Sequence, residues 1–181
     1  AAQLYSDGRP IDASSEAFTW IADVNIFGLP GLVLLYILIV IASHILLSRS
    51  TFGRHVYAVG GNLNAAKICG INTNRTLIWV YILGGALSGL AGALLASRTY
   101  AGNPSYGGAW ELDAIAAAVI GGVSLSGGFG TIPMCVIGAL IIGTTNKGLN
   151  MLGVDPYWQQ IVKGAIIVIA VLLDTLKRRK K

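Results

Sequence analysis

The chain has 181 residues, of which 54% are hydrophobic and 12% charged, about half the ~25% charged fraction of an ordinary soluble domain. Its net charge is +5 and its mean hydropathy +0.68, and apolar runs approach the ~20 residues needed to cross a bilayer. These figures exclude disorder, a coiled coil and a disulfide scaffold, and point to an all-α, polytopic membrane helix bundle.

Residues 1–28 carry Asp7, Asp12, Glu16 and Asp23 against Arg9 alone, with neither an initiator Met nor a basic segment ahead of an apolar core. A membrane protein that opens in such a polar, acidic stretch reads as a fragment or a truncated reading frame. Residues 29–48 are almost purely apolar and can span once. From 49 to 76 the sign reverses: Arg49, Arg54, Lys67 and Arg75 stand without an acidic residue, which places this loop in the cytoplasm. Within it, residues 64–70 read as a short helix, with Asn62 or Asn64 as N-cap and Gly70 as the stop. Such a mostly apolar helix needs a groove, which a soluble partner would supply. The competing reading lays it on the headgroups, with Lys67 on lipid phosphate.

A second span, 77–97, carries the small-residue stripe Gly85, Ser88, Gly89 and Gly92, a general packing surface in membrane bundles. The last apolar stretch, 158–173, leads into Lys177, Arg178, Arg179, Lys180 and Lys181, so the tail 174–181 is cytoplasmic. Residues 111–145 must then cross an even number of times. About 35 residues fall short of two ~20-residue spans, which predicts a broken or re-entrant helical hairpin turning at 126–131, or two short crossings. Tyr100, Tyr106, Trp110, Tyr157 and Trp158 fall on the outer side, as an aromatic belt or a docking surface.

No catalytic group is expected. The spacing of Gly122 and Gly127 lacks the Lys-Ser/Thr of a phosphate loop, and His44, His55, Cys69 and Cys135 have no metal-ligand spacing, so neither metal nor cofactor is implied. For a substrate pathway the candidates are Glu111, Asp113, Ser124, Ser126 and Asn146, since ionisable groups beside a span are functional by default. Glu111 and Asp113 can equally serve the positive end of a helix, and Lys163 can snorkel or pair with a carboxylate.

Phe52-Gly53-Arg54-His55-Val56-Tyr57-Ala58-Val59-Gly60-Gly61-Asn62, followed by Ala65-Ala66 and Gly70-Ile71-Asn72, resembles the coupling loop of ABC-transporter permeases that import ribose, xylose and galactose. Glu111 to Ala117, Gly121 to Ser124, Ser126-Gly127-Gly128 and Asn146 to Asn150 are similar to late-helix signatures of that family. Pro156 to Ala165, with Asp174 to Lys177, is most similar to its galactose/methyl-galactoside branch.

The resemblance implies a multi-pass protein of the bacterial inner membrane that performs no chemistry itself and works by alternating access, and it makes residues 1–28 a periplasmic loop at the opening of a longer protein's C-terminal part. Its partners would be an ABC ATP-binding subunit, a periplasmic sugar-binding protein, a second permease subunit in a homodimer, and membrane lipid, with no nucleic acid. It assigns the ATPase contact to Gly60, Gly61, Asn62, Ala65, Ala66, Lys67 and Gly70, the first two glycines admitting a close backbone approach. A passive channel is the contrasting expectation, and it has no use for an ATPase-docking helix.

Overall fold

The computed structural model describes residues 9–12, 20, 24–26, 28–103 and 106–179. Most of the expected periplasmic loop 1–28 and the last two residues of the tail lie outside the described residues. Elements run in the order β1 (Ile11–Asp12), β2 (Asn25–Ile26), β3 (Leu29–Pro30), α1 (Gly31–Arg49), α2 (Thr51–Gly61), α3 (Leu63–Ile68), α4 (Thr73–Thr99), β4 (Ala101–Gly102), α5 (Trp110–Ile120), α6 (Ile132–Met151) and α7 (Pro156–Arg179). The fold is helical, and the strands are two-residue clips.

Three of the described helices, α1, α4 and α6, are long and apolar enough to cross a membrane. Helix α1 buries none of its residues, and both α1 and α4 are apolar on all sides, as suits surroundings of lipid or other helices. Helix α5, with 11 residues at ~1.5 Å each, reaches only about half of a ~30 Å hydrocarbon core. The hairpin is therefore asymmetric, a short arm followed by a full-length one. Its second arm runs on to Met151, beyond the expected end at 145, and ends where Gly153 takes a left-handed conformation.

Residues 49–76, expected as a loop with one short helix, are mostly helical. Ser50 ends α1 and starts α2: its hydroxyl donates to the Leu46 carbonyl at 2.5 Å and accepts from the Gly53 N–H at 3.0 Å. Gly53 is buried at this elbow, where a Cβ would collide with the Leu47 carbonyl. Three glycines in an 11-residue helix weaken its intrinsic propensity, which is why the sequence pattern reads as a loop.

Contacts divide the chain into two units, 1–42 with 74–108, and 43–73 with 109–181. In the first, β1 pairs antiparallel with β4, Ile11 opposite Gly102, and β2 with β3, Asn25 opposite Pro30. The second unit holds α2, α3 and the α5–α6–α7 bundle. Its small core is Ala116, Ala117 and Ile142, with Ile120 and Ile167 packed against it. Backbones touch there: a Cβ on Gly138 would collide with the Ala117 carbonyl, and one on Gly121 with that of Met134. Small residues thus allow the α5–α6 approach, as in membrane helix pairs generally.

Helices α3, α5 and α6 end alike. A left-handed glycine (Gly70, Gly122, Gly153) follows the last turn, and the next residue's N–H returns to the carbonyl five positions back: Ile71 to Ala66 at 3.0 Å, Val123 to Ala118 at 2.9 Å and Val154 to Leu149 at 3.1 Å. This closes the terminal carbonyls without a side chain. Helix α7 starts at Pro156, with the Asp155 carboxylate accepting from the Tyr157 N–H at 2.9 Å.

Candidate functional site

Asn62 is the joint between α2 and α3. Its backbone N–H closes α2 on the Ala58 carbonyl at 3.1 Å, while its side-chain oxygen accepts from the Asn64 and Ala65 N–H groups, both at 3.0 Å, to open α3. Asn62, not Asn64, is the N-cap. A six-residue helix is marginal by itself, so these caps at Asn62 and Gly70 hold α3 in shape.

Of the residues expected on the partner face, Ala65 and Lys67 are exposed but Ala66 is turned inward at 3% exposure. The outward face includes two residues that the sequence reading passed over, Leu63 at 41% and Ile68 at 88%. An isoleucine that open on a short capped helix is apolar surface that the described residues of this chain leave uncovered. Its signal in the sequence is only that it occupies the last turn of a helix that also carries Lys67.

Gly60 and Gly61 face the same chain. A Cβ on Gly60 would lie 2.9 Å from the Gly128 nitrogen, one on Gly127 2.5 Å from the Gly60 oxygen, and one on Gly128 2.7 Å from the Gly61 Cα. Within this chain the close approach that these glycines permit is made by the turn between α5 and α6, while both glycines keep an exposed side. Gly127, Gly128 and Gly130 all have positive φ, at 86°, 74° and 151°, so the turn needs glycine both for its own path and for this contact. Within the turn, Ser124 N–H bonds the Phe129 carbonyl at 3.0 Å and Gly127 N–H that of Ser124 at 3.2 Å. The Tyr57 hydroxyl donates to the Gly130 carbonyl at 2.5 Å. Beside this hydrogen bond lies a mainly apolar cleft of about 240 Å³, walled by Val56, Val123, Phe129, Ile132 and Cys135.

At the other end of the hairpin, three helices meet through polar side chains. Lys163 on α7 pairs with Asp113 on α5 at 2.6 Å, and the Asn146 amide on α6 donates to the other Asp113 oxygen at 3.5 Å. The pair is mostly enclosed, with 16% of the Lys163 and 25% of the Asp113 side chain exposed. Lys163 therefore pairs with a carboxylate. One turn earlier, Gln159, 7% exposed, donates to the Asn150 side chain at 3.0 Å and the Val154 carbonyl at 2.9 Å. This seam has a readable signature that the sequence reading missed: Asn146 and Asn150 on one helix, and Gln159 and Lys163 on the next, each at four-residue spacing on one face.

The five candidate route residues do not form one site. Asp113 and Asn146 meet at the seam, and Glu111 is exposed in the first turn of α5. Ser124 and Ser126 lie in the turn beyond the opposite end of α5, whose helix runs about 10 Å from Asp113 to Ile120. Among the described residues, no group of three His, Cys, Asp or Glu side chains could hold a metal ion.

A family model described as "Branched-chain amino acid transport system / permease component" matches residues 4–171. The ribose import permease protein RbsC of Bacillus subtilis is 47% identical over 176 residues, 96% of this chain and 55% of that protein. The xylose transport system permease protein XylH of Escherichia coli is 46% identical over 153 residues, 84% of this chain and 39% of that protein. The L-arabinose transport system permease protein AraH of Escherichia coli is 40% identical over 180 residues, 99% of this chain and 55% of that protein. The chain thus spans about half the length of such relatives or less. No solved structure matches. On the family match and these identities, the chain belongs to the branched-chain amino acid transport system / permease component family.

Proposed function

We propose that the chain forms part of the membrane-spanning permease of an ATP-driven monosaccharide importer in the bacterial inner membrane. Helix α3 is the ATPase-coupling helix. The observation that carries this reading is a six-residue helix, capped at both ends, that presents Leu63, Ala65, Lys67 and Ile68 outward from the basic stretch 49–76, which has no acidic residue. A passive channel has no use for such an element. The basic stretch lies on the cytoplasmic side by its charge, and an ABC ATP-binding subunit supplies the groove for α3. A periplasmic sugar-binding protein delivers the substrate, and a second permease subunit completes the route.

Ala65→Arg tests the docking. The substitution lies outside the apolar spans, so insertion is retained, but a bulky charge in a close-packed groove is costly to desolvate. The assembled transporter should lose ATP-binding subunit on co-purification and lose uptake. Unchanged association and uptake would remove the coupling assignment, and stronger vesicle binding would favour a helix resting on anionic lipid.

For the sugar, the closing segment Pro156 to Ala165 supports galactose or methyl-galactoside, while the names of the relatives support a pentose. Asp113 and Asn146, with Glu111 nearer the helix start, are proposed to border its route, since carboxylate and amide groups suit a polyol. Competition of labelled galactose uptake by methyl-galactoside, ribose, xylose and arabinose separates the two readings: strong competition by methyl-galactoside alone supports the first, and by a pentose the second.

A further inference from the structure

We propose that the backbone junction between Gly60–Gly61 and Gly127–Gly128, latched by the Tyr57 hydroxyl on Gly130, is the positioning element through which displacement of α3 reaches the α5–α6 hairpin. This rests on the reading of α3 as the coupling helix and adds the route by which its movement reaches the rest of the unit.

The path is short and stiff. Asn62 alone separates Gly61 from Leu63, and it caps both helices, so α2 and α3 are tied at one residue. At Gly60 the neighbour is backbone, not the end of a flexible side chain that could swing aside: a Cβ there would meet the Gly128 nitrogen at 2.9 Å. Close-packed backbone transmits a displacement because it has no rotamer to absorb it. Beyond the junction the hairpin moves as a piece, since Gly138 sits against the Ala117 carbonyl and Gly121 against that of Met134. All of these residues belong to one compact unit, 43–73 with 109–181. Tyr57 adds a directional restraint, joining positions 73 residues apart by a hydrogen bond. Positive φ at Gly127 and Gly128 fixes the turn in a shape that other residues would disfavour, so the junction is specified from both sides.

The test uses the transporter assembled with its ATP-binding subunit and binding protein in proteoliposomes. It compares Gly60→Ala, Tyr57→Phe and the control Gly143→Ala, whose Cβ would meet nothing within 4 Å. Four quantities are read: ATP-binding subunit retained, basal ATP hydrolysis, its stimulation by sugar-loaded binding protein, and sugar moved per ATP. Gly60→Ala should retain the subunit and basal hydrolysis within about twofold while stimulation and sugar per ATP fall about tenfold, and Tyr57→Phe should lower both about threefold. Gly143→Ala should match the parent. A merely structural role would instead lower assembly, basal hydrolysis and transport in proportion, and that result overturns the relay. If Gly60→Ala does not accumulate, Tyr57→Phe decides, because it removes a hydroxyl and no volume: an unchanged sugar-to-ATP ratio overturns the proposal. Ala65→Arg is run beside them. Failure of the coupling-helix reading shows as retained ATP-binding subunit in that variant, whereas failure of the relay shows as normal stimulation in Gly60→Ala.

Discussion

The two ends of the α5–α6 hairpin are held by opposite means. At the turn, Gly127 and Gly128 meet Gly60 and Gly61 with no side chains between them, so this backbone contact is set by shape, with the Tyr57 hydrogen bond to Gly130 beside it. At the far end, Asp113, Asn146 and Lys163 join three helices through charge and hydrogen bonds. A backbone contact tolerates almost no change in volume but is indifferent to charge. A polar seam tolerates small shifts but not the loss of one partner. The first suits transmission of a displacement, the second a place where water or a hydroxylated solute can exchange hydrogen bonds.

The contrast breaks most visibly at the seam. Lys163→Met leaves a mostly enclosed carboxylate without its cation and should cost about 3 kcal/mol, read as a lowered midpoint of thermal unfolding in detergent. Adding Asp113→Asn to that variant should recover most of the loss, because the unpaired charge is gone. A double variant no better than Lys163→Met would show that the pair is not the source of the cost.

At the turn, the expected effect is somewhat smaller and of different origin. Gly128→Ala places a Cβ against the Gly61 backbone at a left-handed position and should cost about 2 kcal/mol from overpacking and strain. Gly128→Ser should cost as much as Gly128→Ala, since polarity is irrelevant to the contact. A large difference between them would mean that the turn is solvated and the backbone approach loose. Smallest is Asn62→Ala, which removes the side-chain acceptor for Asn64 and Ala65 at about 1 kcal/mol. Faster amide exchange at 63–68, with α5 to α7 unchanged, is the expected reading.

Helices α1 and α4 were legible because a long apolar run needs no knowledge of partners. Helix α3 was legible from Asn62 and Gly70, which carry start and stop signals in their own chemistry. Helix α2 was not, since Gly53, Gly60 and Gly61 resemble a loop until the Leu47 carbonyl and Gly128 are seen filling the space where their side chains would be. The junction itself leaves almost no trace in sequence, because glycine contributes no pattern and its partner lies across the hairpin. Half of the seam could have been read. Asn146 and Asn150 share a helix face, as do Gln159 and Lys163, but pairing Asp113 with Asn146 across 33 positions requires the helix packing. The inward turn of Ala66 was likewise hidden, since composition does not say which side of a short helix meets its own protein.

Cysteine cross-linking on α3 tests the central claim most directly, with Ile68→Cys and Ala66→Cys each introduced into the assembled transporter after Cys69 and Cys135 are replaced by serine and alanine. Position 68 is open at 88% and position 66 closed at 3%. The account predicts nucleotide-dependent cross-linking of position 68 to the ATP-binding subunit and little from position 66. The absence of a cross-link at position 68, in a transporter that still imports sugar, would contradict it.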